Sequence, residues 1–271
     1  VTNESKPANI TSHHEFLKDA NMSKSALKIA SSLHHKKNRL QTGLFLVEGE
    51  KLVDEAFRAG FQCRVLFLRR HWYGQHTIPQ LFLDLDQTER IWLADTDMDR
   101  ITQLSSPPPV VGIFEWKKVP IPSYKPGQHT IWMYLDRIRD AGNLGTLLRV
   151  ADWFGVEGVW TAPGTVDHWN AKSIQASMGS VFRVPVEEGE PAACIEYLKG
   201  ISVYAASLKG MDVSKVDFNG GGLLLLGNES EGLRQECLNF CSAEISIPGY
   251  GQAESLNAAI AGGIILSWMR K

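Results

Sequence analysis

No stretch of this sequence is long and apolar enough to cross a bilayer. The longest such run, "AAIAGGIILSWM" at 258–269, falls well short of the roughly 20 residues a spanning helix needs. No basic, apolar, small-residue signal opens the chain. Cysteine is scarce, four in 271 residues, which excludes a disulfide scaffold and fits a reducing compartment, the cytoplasm by default. Charge of one sign is not in excess: 28 Lys and Arg stand against 30 Asp and Glu, a formal net charge of −2. A polyanionic partner would therefore have to meet a local patch. There is no G-x-x-x-x-G-K-[ST], and no G-x-G-x-x-G follows the first strand of either unit described below, which disfavours ATPase and ordinary dinucleotide-binding readings. The eight histidines fall in no H-x-x-x-H pattern. Cys237 and Cys241, four apart on an expected helix, lack a second ligand pair and read as structural thiols. No metal is expected.

What is present is a strand–helix alternation in two units. Residues 1–21 are polar and aperiodic and read as a disordered leader or tag, with Met22 as a natural start. From Ser23 a helical pattern runs to Gly43. "LFLVEG" is a short buried strand, "EKLVDEAFRAG" an amphipathic helix closed by Gly60, and "CRVLFL", "RIWLAD" and "VVGIFEW" are further strands. These make one α/β unit over 22–116. "KKVPIPSYKPGQ", residues 117–128, holds three prolines and a glycine and reads as a linker. A second unit, 129–271, shows strands near 130–136, 158–162, 181–186, 202–207, 222–226 and 243–247 with helical patterns between most of them. That order predicts a mainly parallel sheet with helices on both faces, in which ligands bind at the carboxyl ends of the strands.

Three polar motifs fall at those ends. In "LDRIRDAGNLGTLLRVADWFGVEGV" (135–159) a strand ends at Asp136 and a helix starts near Asn143, a good N-cap. Gly145 would allow close approach of another backbone, and Arg149 lies nearly two turns beyond Asn143. "GNESEG" (227–232) follows an apolar run; Gly227 offers bare backbone, while Glu229 and Glu231 are candidate bases or metal ligands, or acids favoured by the start of the next helix. In "IPGYGQAESLN" (247–257), Pro248, Gly249 and Gly251 are expected to hold a tight turn, with Ser255 and Asn257 at the start of the last helix. A pocket lined by such backbone suits a flat heteroaromatic ligand and not a triphosphate.

Together, in this order and at these spacings, the three motifs closely resemble the SpoU (TrmH) family of RNA ribose 2′-O-methyltransferases, in the SPOUT superfamily. "RLQTGLFLVEGEKLVDEA" resembles the family's ribosomal-protein-like substrate-binding domain, and "NAKSIQASMGSVFRVPV" a later family segment. Ala141 and Ala171 stand where family members often carry Pro. The resemblance, which covers about 22–271, implies an α/β trefoil-knot (SPOUT) methyltransferase domain preceded by a small α/β substrate-binding domain. It implies S-adenosyl-L-methionine held at Gly227, Ile247 and Leu256. It also implies an active-site set of Asn143, Arg149, Glu229, Ser255 and Asn257, and a homodimer whose partner completes the site. Since a guanidinium stays protonated, Arg149 is expected to bind the phosphate beside the target ribose and stabilise the developing alkoxide. Glu229 is expected to position Arg149 or accept the proton.

The densest basic run, "HHKKNR" at 34–39, makes His35, Lys36, Lys37 and Arg39 the expected contacts to structured RNA, rRNA before tRNA. Its alternative reading is a cationic helix C-terminus. Arg69, Arg70 and His71 extend the patch, with Trp72 as a stacking platform or a core residue. The alternative for the whole chain is a non-catalytic RNA-binding or ribosome-assembly factor retaining the fold. Base methylation by a related knotted enzyme is disfavoured by the motif set.

Overall fold

The computed structural model describes residues 24–83, 88–218 and 220–271; the expected leader at 1–21 lies outside them. Two sheets organise the chain. Helix α1 (residues 24–32) and α2 (Lys36–Thr42) lead into β1 (Leu44–Glu48), α3 (Glu50–Arg58) and β2 (Cys63–Arg69). Short helices α4 (Arg70–Tyr73) and α5 (Gln80–Leu83) precede β3 (Glu89–Leu93), and α6 (Asp95–Met98) precedes β4 (Val110–Glu115). The order is β1-β4-β2-β3, with β4 antiparallel to β1 and β2, and β3 parallel to β2.

The expected single helix over 23–43 is in fact two. The carbonyls released at the break find side-chain partners: Arg39 Nη1 donates to Leu33 O at 2.7 Å and His34 O at 3.0 Å, and Asn38 Nδ2 to Ser32 O at 2.8 Å. Buried carbonyls need such partners once the helical ladder stops, and Arg39 is drawn inside to provide them.

The second sheet begins with β5 (Thr130–Leu135), α7 (Ala141–Trp153), β6 (Gly158–Thr161), α8 (Ala171–Ser177) and β7 (Val186–Glu188). It continues with α9 (Pro191–Tyr197), β8 (Val203–Asp212), β9 (Gly221–Leu226), α10 (Gln235–Leu238), β10 (Ala243–Ser246) and α11 (Ala258–Met269). All six strands are parallel in the order β10-β8-β9-β5-β6-β7. Successive side chains on a strand face opposite ways, and here they divide between two cores. Ile131, Met133 and Leu135 join the core on the side of α7, α8 and α11, while Trp132 and Tyr134 join Cys194, Leu198 and Cys237 beneath α9 and α10. Helices thus cover both faces, as the alternation predicts. The strand expected at 181–186 is displaced: Ser180–Phe182 form a turn of 3₁₀ helix and the strand starts at Val186. A short apolar run such as "SVFRVPV" does not by itself distinguish a buried turn from a buried strand.

Gly145 is where α7 meets α8. A Cβ there would lie 2.3 Å from the Ser173 carbonyl oxygen, so only glycine permits this approach. The two units also share a core: Phe45 stacks on Trp169 at 4.4 Å between ring centroids, and Phe61 meets Phe182 at 5.2 Å. Gln175 Nε2 donates to Glu48 O at 2.7 Å across the same boundary.

Candidate active site

The carboxyl ends of β5 and β9 lie side by side, with the Asp136 N–H donating to Leu226 O at 2.8 Å. The loops that leave them are built as a pair. Asp136 is buried and accepts from both the backbone N–H (2.9 Å) and Nε (2.8 Å) of Arg234, which ties the far end of the β9 loop to the end of β5. Within that loop Asn228 and Gly232 exchange two backbone hydrogen bonds, of 3.2 and 2.8 Å. Asn228 is itself buried; its Oδ1 accepts from the Ser230 and Glu231 N–H groups, and its Nδ2 donates to Arg137 O at 3.0 Å. A Cβ on Gly227 would come within 2.3 Å of the Gly232 carbonyl carbon. The glycine is therefore needed for the loop to close.

This closure sorts the two loop acids. Glu231 is held by Arg137 Nη1 at 2.9 Å and Arg139 Nη2 at 3.1 Å, a structural clamp. Glu229 is left outside it and accepts from Asn143 Nδ2. Asn143 Oδ1 in turn accepts from Asn257 Nδ2 at 2.8 Å. Asn257 Oδ1 caps α11 by accepting from the Ala259 and Ile260 N–H groups, at 2.9 and 3.4 Å. One chain of amide donors, Asn257 to Asn143 to Glu229, thus joins residues that are far apart in sequence, and it ends on an exposed carboxylate.

Asn143 does not cap α7; that position belongs to Asp140, whose Oδ1 accepts the Asn143 N–H at 2.9 Å. The correction matters for the chemistry, because a capping Asn would spend its side-chain oxygen on the backbone. With Asp140 in that role, Asn143 sits one turn inside and keeps both amide groups for Asn257 and Glu229. Lys172 Nζ donates to the other Asp140 oxygen at 2.7 Å. That bond, with the Asn143 N–H second, holds the Asp140 carboxyl below the usual carboxylate range.

Of the remaining expected site residues, Arg149 is exposed on α7 and makes no hydrogen bond or ion pair among the described residues. Six residues at 100° each place it about 120° around the helix from Asn143. Glu229 pairs with Asn143 and not with Arg149. Ser255 is exposed, Leu256 is 46% exposed, and Ile247 packs against the core. Residues 249–256 form an exposed segment with no hydrogen bonds of its own among the described residues. No hydrogen bond among the described residues closes the tight turn expected at Pro248–Gly251, while the chain bends at Gly251–Gln252 and the bare backbone expected there is present. Asp136 and Asn228 are the two residues sequence reading passed over. A buried acid closing an apolar strand, and an Asn directly after Gly227, were the available signals.

The basic run divides. His35, Lys36 and Lys37 are exposed, but Arg39 is 2% exposed and its Nε donates to Asp167 at 2.7 Å. Arg39 is thus corrected from an RNA contact to a buried structural ion pair. Arg69 is likewise committed, to both oxygens of Asp95 at 2.8 and 2.7 Å. Among the described residues no group of three His, Cys, Asp or Glu is placed to hold a metal, and no helix is long and apolar enough to cross a membrane.

Residues 130–267, the whole of this site included, match the SpoU rRNA Methylase family, and residues 24–112 match the MRM3-like substrate binding domain. The chain belongs to the SpoU rRNA methylase family. It is 30% identical to the 23S rRNA (guanosine(2553)-2′-O)-methyltransferase RlmP of Bacillus subtilis, over 88% of this chain and 93% of that one. It is also 30% identical to the 23S rRNA (uridine(2479)-2′-O)-methyltransferase of Streptomyces viridochromogenes, over 86% and 85%. Among solved structures, the SpoU methyltransferase AviRb from Streptomyces viridochromogenes in complex with AdoMet superposes with a TM-score of 0.80 at 27% identity, covering 90% of this chain and 96% of that one. The AdoMet-bound rRNA methyltransferase of Sinorhizobium meliloti superposes at 0.79 and 32%, covering 90% and 94%. The SpoU match therefore runs through both sheets and not only through the motif loops.

Proposed function

We propose that this SpoU-family protein methylates a ribose 2′-hydroxyl in ribosomal RNA, using S-adenosyl-L-methionine. The observation that carries the reading is the hydrogen-bonded chain Asn257–Asn143–Glu229, which gathers one residue from each of the three motifs. Relatives aligned over most of both chains and named for this activity support it. The exposed, unpaired backbone of 249–256 fits a nucleoside cofactor, since N–H and C=O groups free of internal partners can meet the edges of an adenine. Gly227, Ile247 and Leu256 would hold the cofactor there. When bound, it supplies a methyl group on a sulfonium, ready for direct displacement.

The chain's own residues align the acceptor and manage one proton. Asn143 fixes one oxygen of Glu229, leaving the other to take the proton as the 2′-oxygen attacks. Asn257 locks the Asn143 amide and couples it to the start of α11. Arg149, whose forked guanidinium suits a phosphate, binds the RNA backbone beside the target ribose, and Ser255 orients the acceptor. His35, Lys36 and Lys37 contact RNA from the first unit, which is the substrate-binding domain at 22–116; residues 117–128 are the linker and 129–271 the methyltransferase domain.

We further propose a trefoil knot: β10 lies outside β8, so the chain leaving β9 passes the end of β8 before α11 returns beside α7. A homodimer accounts for the apolar surface on α7 and α11, where Trp153 is 84% and Ile260 54% exposed. The four free thiols, three of them buried, suit a reducing, cytoplasmic setting.

The test is transfer of labelled methyl from S-adenosyl-L-methionine to ribosomal RNA, with the product mapped as an alkali-resistant 2′-O-methyl nucleotide. Glu229→Gln is expected to lower kcat by about 10²-fold or more while leaving cofactor affinity unchanged. Label found on a base, or none transferred by a folded protein that binds the cofactor, would refute the reading.

A further inference from the structure

Where the first unit's last strand passes into the linker, a cavity of about 290 Å³ opens between Trp116–Val119 on one side and His168, Trp169 and β7 on the other. Its size is close to the lower end of the ~300–1,000 Å³ typical of small-ligand pockets, which is room for one nucleotide and not for a duplex. Three aromatic rings share the wall with four valines, Val119, Val181, Val184 and Val186. His168 lies against Trp169 with centroids 4.7 Å apart, and Trp116 lines the facing side. Burial, outweighing the opposing charge of Asp167, pushes the His168 pKa down to about 4, so at neutral pH the imidazole offers a ring face and an uncharged polar edge. The lining carries two cations against one acid. Lys117 Nζ donates to the Ala59 carbonyl at 3.0 Å and the Gly60 carbonyl at 3.4 Å, and Lys118 pairs with Glu187 at 2.6 Å. Arg39 bonds Asp167, the neighbour of His168, at 2.7 Å, which brings α2 and its exposed run His35–Lys37 to this side of the cavity.

This cavity is joined to the reacting centre through the start of α8. His168 is four residues before Lys172, at most about 14 Å along even a fully extended chain. Lys172 bonds Asp140, which bonds the Asn143 N–H. A strand of RNA with its target ribose beside Glu229 would reach His168 by running over this start of α8.

We propose that the Trp116–His168–Trp169 cavity is a base-binding pocket that takes one unstacked nucleotide of the RNA near the methylated ribose, its phosphates lying along Lys118 and the His35–Lys37 run. The proposal rests on the rRNA-methyltransferase reading and adds to it where an unpaired base is held. Aromatic walls accept any base by its π face, and flanking cations take the backbone. The pocket thus selects for locally single-stranded RNA, as RNA recognition through unstacked bases generally does.

The test uses the full chain and a fluorescein-labelled single-stranded hexauridylate, followed by anisotropy at fixed salt. Val119→Trp fills the cavity from the linker side, its folding checked by an unchanged S-adenosyl-L-methionine affinity, and Lys118→Glu reverses an exposed rim charge. Val119→Trp is expected to weaken hexauridylate binding by about tenfold or more, and Lys118→Glu by several-fold. Both should bind S-adenosyl-L-methionine as the wild type does, and Val119→Trp should raise KM for ribosomal RNA with little change in kcat. Hexauridylate affinity within about twofold of wild type in both variants, or no binding by the wild type, would overturn the pocket. Hexauridylate binding is read without the cofactor, so a chain that binds it through this cavity yet transfers no methyl would uphold the pocket while ending the methyl-transfer reading.

Discussion

Asn257 has two separable tasks, and its two side-chain ends divide them. Oδ1 caps α11, while Nδ2 holds Asn143. Asn257→Ala loses both and is expected to cost about 1 kcal/mol of stability through the missing cap as well as activity. Asn257→Asp retains the capping oxygen at a helix end that favours negative charge and loses only the donor. Its urea midpoint should stay near wild type while methyl transfer falls as far as in Asn257→Ala; equal activity of Asn257→Asp and wild type would remove Asn257 from the proton-handling chain. His168 affects stability through its protonation. Its folded-state pKa of about 4 lies below the ordinary histidine value of 6.5, so the unfolded chain binds the proton more readily. Its contribution to stability is full above about pH 6.5 and is lost as pH falls toward 4. For a partly exposed ring the loss between pH 7.5 and 4.5 is about 1–2 kcal/mol. Urea midpoints measured over that range should fall less steeply in His168→Gln.

At the scale of the element, much was legible because patterning and burial agreed. β1, β2, β4, β5 and β9 stand where short apolar runs predict them, and α3 where an amphipathic stretch ends before Gly60. Errors arose where a local signal competed with a tertiary one. Asn143 is a good N-cap by residue type, but Asp140 also is, and the Lys172 contact that accompanies it comes from another helix. Where the helix over 23–43 breaks, Arg39 turns inward to the freed carbonyls and to Asp167, 128 residues away, a partner no local window contains. That break yields a contrast within one basic run. Removing Arg39 leaves Asp167 buried and unpaired, so Arg39→Ala should cost about 3–5 kcal/mol. Lys37→Ala, on the exposed side, should leave stability within about 0.5 kcal/mol and instead weaken RNA binding and flatten its salt dependence. Calorimetry beside a salt titration separates the two; an Arg39→Ala protein as stable as wild type but deficient in RNA binding would return Arg39 to the patch.

For the whole molecule, the shared core around Phe45, Phe61, Trp169 and Phe182 sets how the two sheets meet. The motif spacings, read along the chain, locate the loops but not this boundary, because its aromatic partners come from both units. The same limit applies to Arg149. The resemblance places it in the active-site set, yet on α7 it points away from Asn143 and has no partner among the described residues. A second copy docked on the apolar face carrying Trp153 and Ile260 resolves this if Arg149 serves the neighbouring site. Trp153→Glu with Ile260→Glu should then convert a particle of twice the 30.1 kDa chain mass into a folded monomer without activity, as read by sedimentation. The sharper test mixes two variants that are each inactive, Arg149→Ala and Glu229→Ala, after dissociation and reassembly. Random pairing puts half the chains in mixed dimers, in which one site of the two holds both wild-type side chains. Activity should therefore return to about a quarter of the wild-type level in a two-fold symmetric dimer. If Arg149 acted within its own chain, no mixed site would be intact and the mixture would stay inactive.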